Sequence, residues 1–364
     1  MDDKLHHALI QALNDQNDLP WRSFNASEWG AFVKLAQSEG VSGLIHTASR
    51  TGGWGAEMPE GVRNDLAKAY YRTAASNQIL FHELDRILLA LGEANVPVIV
   101  LKGAALAPTL YDDIAHRPMN DLDLLVQPDD LFTSVRALRD IDYQQQKITY
   151  HVVMAGGADH HTNLELHWCS LPTKSGATSA DAWFWEQTRP FKPRELPYHP
   201  HAYSLSPTAN LLYLAAHLSL AHGTDTPRMI WCYDIDLLVR EKGPVIDWDL
   251  LVERTAVYGW GWALYASLAA AQERFATPIP AGVPEALSNR QPGDFSSQED
   301  QEMDVQTQFA RAYTRHALRS LGWWGRLRVV LGMLFPSKNY MKQKYQPQPG
   351  WLWPINYLYR WVHL

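Results

Sequence analysis

The sequence predicts an α+β fold: a small mixed sheet flanked by N-terminal helices and followed by a C-terminal helical region. Three observations predict it. From Val62 to about Ala94 apolar residues recur at helical spacing, with Leu80, Leu84, Ile87, Leu88 and Leu91 on one stripe. From Val96 the period changes, and four short strand-like runs follow before residue 168. From Pro207 the helical pattern returns, over 207–222, 227–241, 248–258 and 261–275.

Taken in order, residues 4–50 read as short helices, with Ser27 placed to cap "SEWGAFVKLAQSEG", which ends at Gly40. "TGGWGAEMPEG" (51–61) reads as a loop. "VPVIVLKG" (96–103) is a β-branched run ended by glycine, the mark of a buried strand. "AALAPTLYDD" reads as a short helix, "DLDLLV" as the second strand, and "PDDLFTSVRALRDI" (128–141) as a helix with Pro128 in its first turn. "KITYHVVM" (147–154) and "TNLELHW" (162–168) complete the four strands. The Pro-, Ser- and Gly-rich stretch 171–207 and the stretch 277–300 read as irregular connections. This divides the chain into an N-terminal helical region (1–95), an α+β core (96–206), a helical domain (207–310) and a C-terminal tail (311–364).

The 364 residues suffice for a sizeable core, and a net charge of −7 argues against binding long nucleic acids. Two cysteines, Cys169 and Cys232, make no disulfide framework and point to a reducing cytoplasm. The opening "MDDKLHHALIQAL" lacks the long apolar core of a signal peptide, and no run reaches the length of a transmembrane helix.

The charge is uneven. Nine Lys or Arg and no Asp or Glu fall from Arg311 to the end, so taking nine from a net −7 leaves −16 on the first 310 residues. The same tail holds five of the fifteen tryptophans. Cations beside indoles suit a peripheral membrane contact or a partner dock, whereas a basic tail wrapping the acidic body would bury the tryptophans as soluble proteins mostly do.

The candidate chemistry lies in "RPMNDLDLLV" (117–126). On a strand, residues i and i+2 share a face, so Asp121 and Asp123 project together while Leu122 and Leu124 enter the core. Two parallel carboxylates are half of a site for a hard cation such as Mg²⁺, which prefers oxygen ligands and leaves positions open for phosphate. "HTNLELHW" supplies a third: Leu164, Leu166 and Trp168 alternate with a polar face of His161, Asn163, Glu165 and His167. Upstream, strand, Gly103 and helix start in "VLKGAAL" form a place for an anion, with Lys102 adding a point charge and Arg117 able to reach phosphate in bidentate fashion.

Gly103 after a strand, then "DLD" and a later "LEL", resembles the polymerase-beta-like nucleotidyltransferase superfamily. More narrowly, "LKGAAL…LY…RPMNDLDLLV…LELHW" resembles a bacterial family of uncharacterised nucleotidyltransferases over about 98–168, with a weaker match over "HLSLAHG…WCYDIDLL" (217–238). The resemblance implies that Asp121 and Asp123 bind one or two Mg²⁺ and that Glu165 is the third carboxylate, which activates the attacking hydroxyl. It implies a nucleoside triphosphate, such as ATP, as substrate, with Lys102, Gly103, Arg117, His217 and Asp234 on the nucleotide side. The acceptor would be a hydroxyl of a small molecule, sugar, peptide or protein. Many superfamily members carry serine after the glycine where this chain has Ala104, and Lys102 is placed to stand in for the missing hydroxyl.

Other readings stay open at this stage. The aspartate pair could be a turn or cap, Lys102 a solvated strand end, and Arg117 half of a surface ion pair. His161 and His167 could hold zinc with Glu165. "DIDLLV" (234–239) nearly repeats "DLDLLV", but its surroundings read as a helix, on which i and i+2 point about 200° apart; Asp234 would then pair with a histidine such as His217. At the level of function, a non-catalytic nucleotide-binding or scaffold module and an antitoxin-like nucleotidyltransferase acting on a partner protein are the alternatives.

Overall fold

The computed structural model describes residues 2–14, 20–156, 162–174, 178–192, 196, 199–222, 227–288, 305–345 and 354–362. Three helices open it: α1 (Asp2–Leu13), α2 (Ala26–Ser38) and α3 (Ser42–Thr51). Asn25, not Ser27, caps α2. Its side chain accepts the amides of Ser27 and Glu28 while Glu28 reaches back to the Asn25 amide, a reciprocal capping box. The stretch 51–61, read as a loop, contains a 3₁₀ turn at Trp54–Glu57.

The periodic segment is a single helix, α4 (Glu60–Glu93), whose apolar stripe of Leu84, Ile87, Leu88 and Leu91 is almost fully buried. Its Asn77, fully buried, donates from Nδ2 to the carbonyls of Ile114 and Arg117 at 2.6 and 2.8 Å. That pins the segment entering the acidic strand.

The sheet follows. Its strands and the helices between them are β1 (Val98–Val100), α5 (Lys102–Leu110), β2 (Leu122–Val126), α6 (Leu131–Asp140), β3 (Gln144–Ile148), β4 (Val152–Gly156), β5 (Thr162–His167), α7 (Asp181–Glu186), β6 (Thr188–Pro190) and β7 (Ala202–Leu205). The order is β3-β4-β5-β2-β1-β7-β6 among the described residues. β2 runs antiparallel to β1 and parallel to β5, and β1 runs parallel to β7, so the sheet is mixed. Every residue of β1 is buried on both faces, each worth roughly 1.5–3 kcal/mol against exposure.

Two strand readings need correction. The run 147–154 is not one strand but the ends of β3 and β4 with a turn between, closed by the Thr149 amide on the His151 carbonyl. Its composition favours a strand throughout, but Tyr150 is drawn out to stack on Tyr313 at 4.3 Å, and tertiary contact overrides propensity. The stretch 171–207 is not wholly irregular: it holds α7, β6 and β7. Strands of three and four residues are too short to show an alternation.

The helical region comprises α8 (Pro207–His217), extended by a π turn at Leu218–His222, then α9 (Met229–Lys242), α10 (Trp248–Tyr258), α11 (Gly261–Phe275) and α12 (Gly282–Ser288). The stretch 277–300, read as irregular, holds α12; its residues 289–300 lie outside the described residues. Two cores result. The larger joins the sheet to the end of α4, α8, α10 and α11; the smaller joins α1–α3 to Met229, Ile230, Cys232 and Phe275 of α9 and α11.

The chain ends in α13 (Val305–Arg319), α14 (Trp323–Leu334), α15 (Lys338–Tyr345) and α16 (Ile355–Val362). The boundary read at 310/311 falls inside α13. That helix enters the larger core with Phe309, Tyr313 and Ala317, and the Trp168 indole donates to the Ala317 carbonyl at 2.9 Å. The beginning of the tail is therefore structural. No described helix is long and apolar enough to cross a membrane.

Candidate active site

The site starts where β1 ends. The Leu101 amide donates to the Asp123 carbonyl at 3.0 Å, tying that end to β2 beside the acid. Lys102 then takes φ +50°, a left-handed conformation that costs a side-chain-bearing residue about 1–2 kcal/mol. The outcome is a directed amine: Lys102 Nζ stands 2.8 Å from Asp123 Oδ1. Gly103 supplies room for a close approach, since a Cβ there would lie 2.8 Å from Met119 Cγ.

Asp121 immediately precedes β2 and Asp123 lies within it, between the fully buried Leu122 and Leu124. On the neighbouring parallel strand Glu165 is the register partner of Asp123. All three acids line one cleft of about 520 Å³ with Lys102 and Gly103. Asp123 is only 4% exposed, and a buried charge needs partners. It has Lys102 and His167, whose Nε2 is 3.2 Å from the same Oδ1. With His167 neutral, Nε2 donates to Asp123 and Nδ1 accepts from the Tyr313 hydroxyl, 3.2 Å away. His151 Nε2 lies 3.5 Å from Glu165 Oε1, and His167 Nε2 lies 3.8 Å from Glu165 Oε2.

The electrostatics separate the acids. Burial opposes ionising Asp123, but Lys102 and His167 outweigh it and hold the carboxyl well below its usual range. Burial, then the charges of Asp123 and Glu165, push Asp121 up to about 6. Burial and Asp123 push Glu165 up to about 7. Burial lowers His151 and His217 well below the ordinary imidazole value, so both are neutral. Burial likewise works against Lys102, yet Asp123 and Tyr213, then Glu165, raise its ammonium above the usual lysine value.

The opposite wall comes from α8, its π turn and the start of α9: His217, His222, Arg228 and Trp231. The His222 ring stacks on Trp231 at 4.3 Å and the Arg228 guanidinium lies 5.5 Å from the Trp231 ring centre.

Two pairings differ from expectation. Arg117 is neither a surface ion pair nor a free phosphate fork. Its Nε and Nη2 bind the Asp234 carboxylate at 2.8–3.0 Å and its Nη1 donates to the Pro118 carbonyl at 2.7 Å, all with little exposure. Asp234 pairs with Arg117 and the Tyr111 hydroxyl (2.6 Å), not with His217, whose ring stacks near Tyr213 instead. An arginine needs a fixed planar acceptor once buried, and the carboxylate of α9 is the one in reach. Arg117 and Asp234 still border the cleft, as a brace between its walls.

His151, His222, Arg228 and Trp231 were not among the sequence candidates. His151 was hidden by reading 147–154 as one strand. The other three lie in and beside "HLSLAHG…WCYDIDLL", where a signal existed: two histidines, an arginine and a tryptophan around a helix start.

Ligand atoms of His151, Glu165 and His167 all lie within 4.8 Å of one another, a set able to hold a metal ion. The zinc set read with His161 cannot be placed, because His161 lies outside the described residues. Asp121 and Glu165 also suit a hard cation. Their raised values record burial first and neighbouring carboxylates second, and a bound dication would offset both.

A family model described as "Uncharacterised nucleotidyltransferase" matches residues 25–276, more than half of the chain. No curated protein sequence is significantly similar to the chain. Among solved structures, the antibiotic-resistance factor ANT(2'')-Ia overlaps 55% of this chain and 94% of its own, at 14% identity and a TM-score of 0.34, a likeness too slight to carry a functional inference.

Proposed function

The chain belongs to this nucleotidyltransferase family, and from that premise we propose that it moves a nucleoside monophosphate from a nucleoside triphosphate to a hydroxyl, with Mg²⁺ as cofactor. The observation that carries the reading is the convergence of Asp121, Asp123 and Glu165, from adjacent parallel strands, on one cleft beside Lys102.

Asp121, Asp123 and Glu165 would hold the cation. Bound there, Mg²⁺ supplies charge neutralisation for the phosphates and the departing pyrophosphate. The acceptor oxygen attacks the α-phosphorus, the bond from that phosphorus to the bridging oxygen breaks, and pyrophosphate leaves with the electron pair. Glu165 takes the hydroxyl proton, with the neutral His151 beside its carboxyl. Lys102 keeps Asp123 ionised and oriented. Arg228 brings positive charge and Trp231 a flat ring to the opposite wall, suiting them to phosphate and base. The acceptor is a small molecule, sugar, peptide or protein side chain.

A second reading is nucleotide binding without transfer. It is favoured by Ala104, which lies buried in α5 and offers no hydroxyl, and by the Lys102 ammonium, already seated on Asp123 where a cation would sit. The two separate when purified chain is incubated with Mg²⁺, cell extract and each triphosphate labelled at the α-phosphate. Label carried to an acceptor, lost on omitting Mg²⁺, supports transfer. Saturable nucleotide binding with no labelled product under any condition supports the second reading.

A further inference from the structure

The last helices are folded inside out. On α14, Trp323, Trp324, Leu327, Val330 and Leu331 all face solvent, the two tryptophans at 62% exposure. At about 100° per residue they form one stripe roughly 120° wide. The opposite side carries Gly325, Val329 and Gly332. Val329 is fully buried, and a Cβ on Gly332 would collide with Ile148 at the end of β3. The helix thus packs its smallest side on the protein and presents its apolar side outward, the reverse of an ordinary surface helix.

α16 leaves the stripe open. α16 folds back on the end of α14: the Tyr357 hydroxyl donates to the Pro336 carbonyl at 2.6 Å and the Trp361 indole to the Leu334 carbonyl at 2.9 Å. These donors satisfy carbonyls at and beyond the end of α14. α16 then adds Ile355, Leu358 and Tyr359, each more than half exposed, to the outer surface. Exposed large apolar side chains aligned along one helix face mark an interaction surface.

We propose that α14 and α16 form a membrane-docking face that lies in the headgroup layer of an anionic lipid surface. Charge complementarity selects that occupant. The segment 311–364 has nine Lys or Arg and no acid, against −16 on the rest of the chain, so this end is attracted to anionic lipid and the body is repelled. Arg326 and Arg328 lie at about 100° to either side of the stripe, where long basic side chains reach phosphates while the stripe enters the lipid. Neither has a carboxylate partner among the described residues: Arg326 donates to the Leu321 carbonyl and Arg328 lies over Phe132. Indoles settle at headgroup level. With 12 residues α14 is about 18 Å long, against about 30 Å of bilayer core, so it lies in the surface and does not cross. This face is independent of the reading of the cleft.

The test is sedimentation of the full chain with vesicles of phosphatidylcholine alone or mixed with phosphatidylglycerol. The expected result is binding at least about tenfold stronger to the anionic vesicles and weakened by salt. The variant Leu327→Glu/Leu331→Glu alters only exposed positions; it should keep the wild-type melting temperature and lose at least about tenfold in vesicle binding. A wild-type chain that ignores anionic vesicles, or a folded variant that binds them as well as wild type, overturns the proposal. So does a wild-type oligomer that the variant dissociates without any vesicle binding, which assigns the face to a second copy of the chain.

Discussion

"DLDLLV" at 121–126 and "DIDLLV" at 234–239 differ at one position, yet they do opposite things. The first has five of its six residues in a strand, and its two acids border the same cleft. The second lies within α9, where its acids diverge: Asp234 is held by Arg117 and Tyr111, and Asp236 by Arg240 and the Thr277 hydroxyl. Repetition of residue types does not make a site. The backbone period decides whether two carboxylates converge, and buried acids on one cleft carry a cost that a bound cation would offset. In the helix each acid is held by its own arginine and becomes structural; in the strand copy Asp123 is held by Lys102, while burial and the neighbouring acids raise Asp121.

That contrast can be sharpened by taking acids from each copy and from the strand beside the first. The largest effect is expected at Glu165. Glu165→Gln should lower turnover by about 10²–10⁴ while nucleotide affinity changes little, because a base acts in the transition state; steady-state kinetics with equilibrium binding would show the split. In the helical copy the loss should be of stability. Asp234→Ala strands the buried Arg117 and should cost about 3–5 kcal/mol in denaturant unfolding. Asp236→Ala should cost less, roughly 1–3 kcal/mol, mostly for the buried Thr277 hydroxyl, since Arg240 is 44% exposed and keeps the carbonyls of Phe275 and Ala276.

The smallest effect is a pH dependence confined to the strand copy. Asp121 near 6 and Glu165 near 7 lie above their unfolded values, so they favour the folded state at low pH and oppose it as pH rises through that window. A cation needs both ionised. The rise in melting temperature with millimolar Mg²⁺ should therefore be larger at pH 8 than at pH 5, and Asp121→Asn should diminish the difference. Equal rises at both pH values would separate Mg²⁺ from these acids.

Much of this was legible beforehand because it rests on period. The change from 3.6 to 2 at Val96 located the sheet, and alternation in 162–167 put Glu165 on the polar face that meets Asp123. The helical surroundings of 234–239 separated the two acids there. What stayed hidden rests on contacts between distant segments. The stack of Tyr150 on Tyr313 bends a run that reads as one strand, and β7 is recognisable only through its pairing with β1. No local pattern says that Arg117 meets a carboxylate 117 residues away, or that Lys102 takes a left-handed backbone. The outward stripe of α14 shows in sequence as amphipathicity, but which side faces the protein is set by Gly332 against Ile148.

The central claim is that the strand acids, and not their helical counterparts, hold a cation for a triphosphate. Calorimetric titration of a non-hydrolysable triphosphate analogue in Mg²⁺, into wild type and into Asp121→Asn/Asp123→Asn, tests it most directly. Wild type should give saturable heat of binding and the double variant none, with circular dichroism that of the folded chain. Unchanged binding in the folded double variant would contradict the account and place the nucleotide elsewhere.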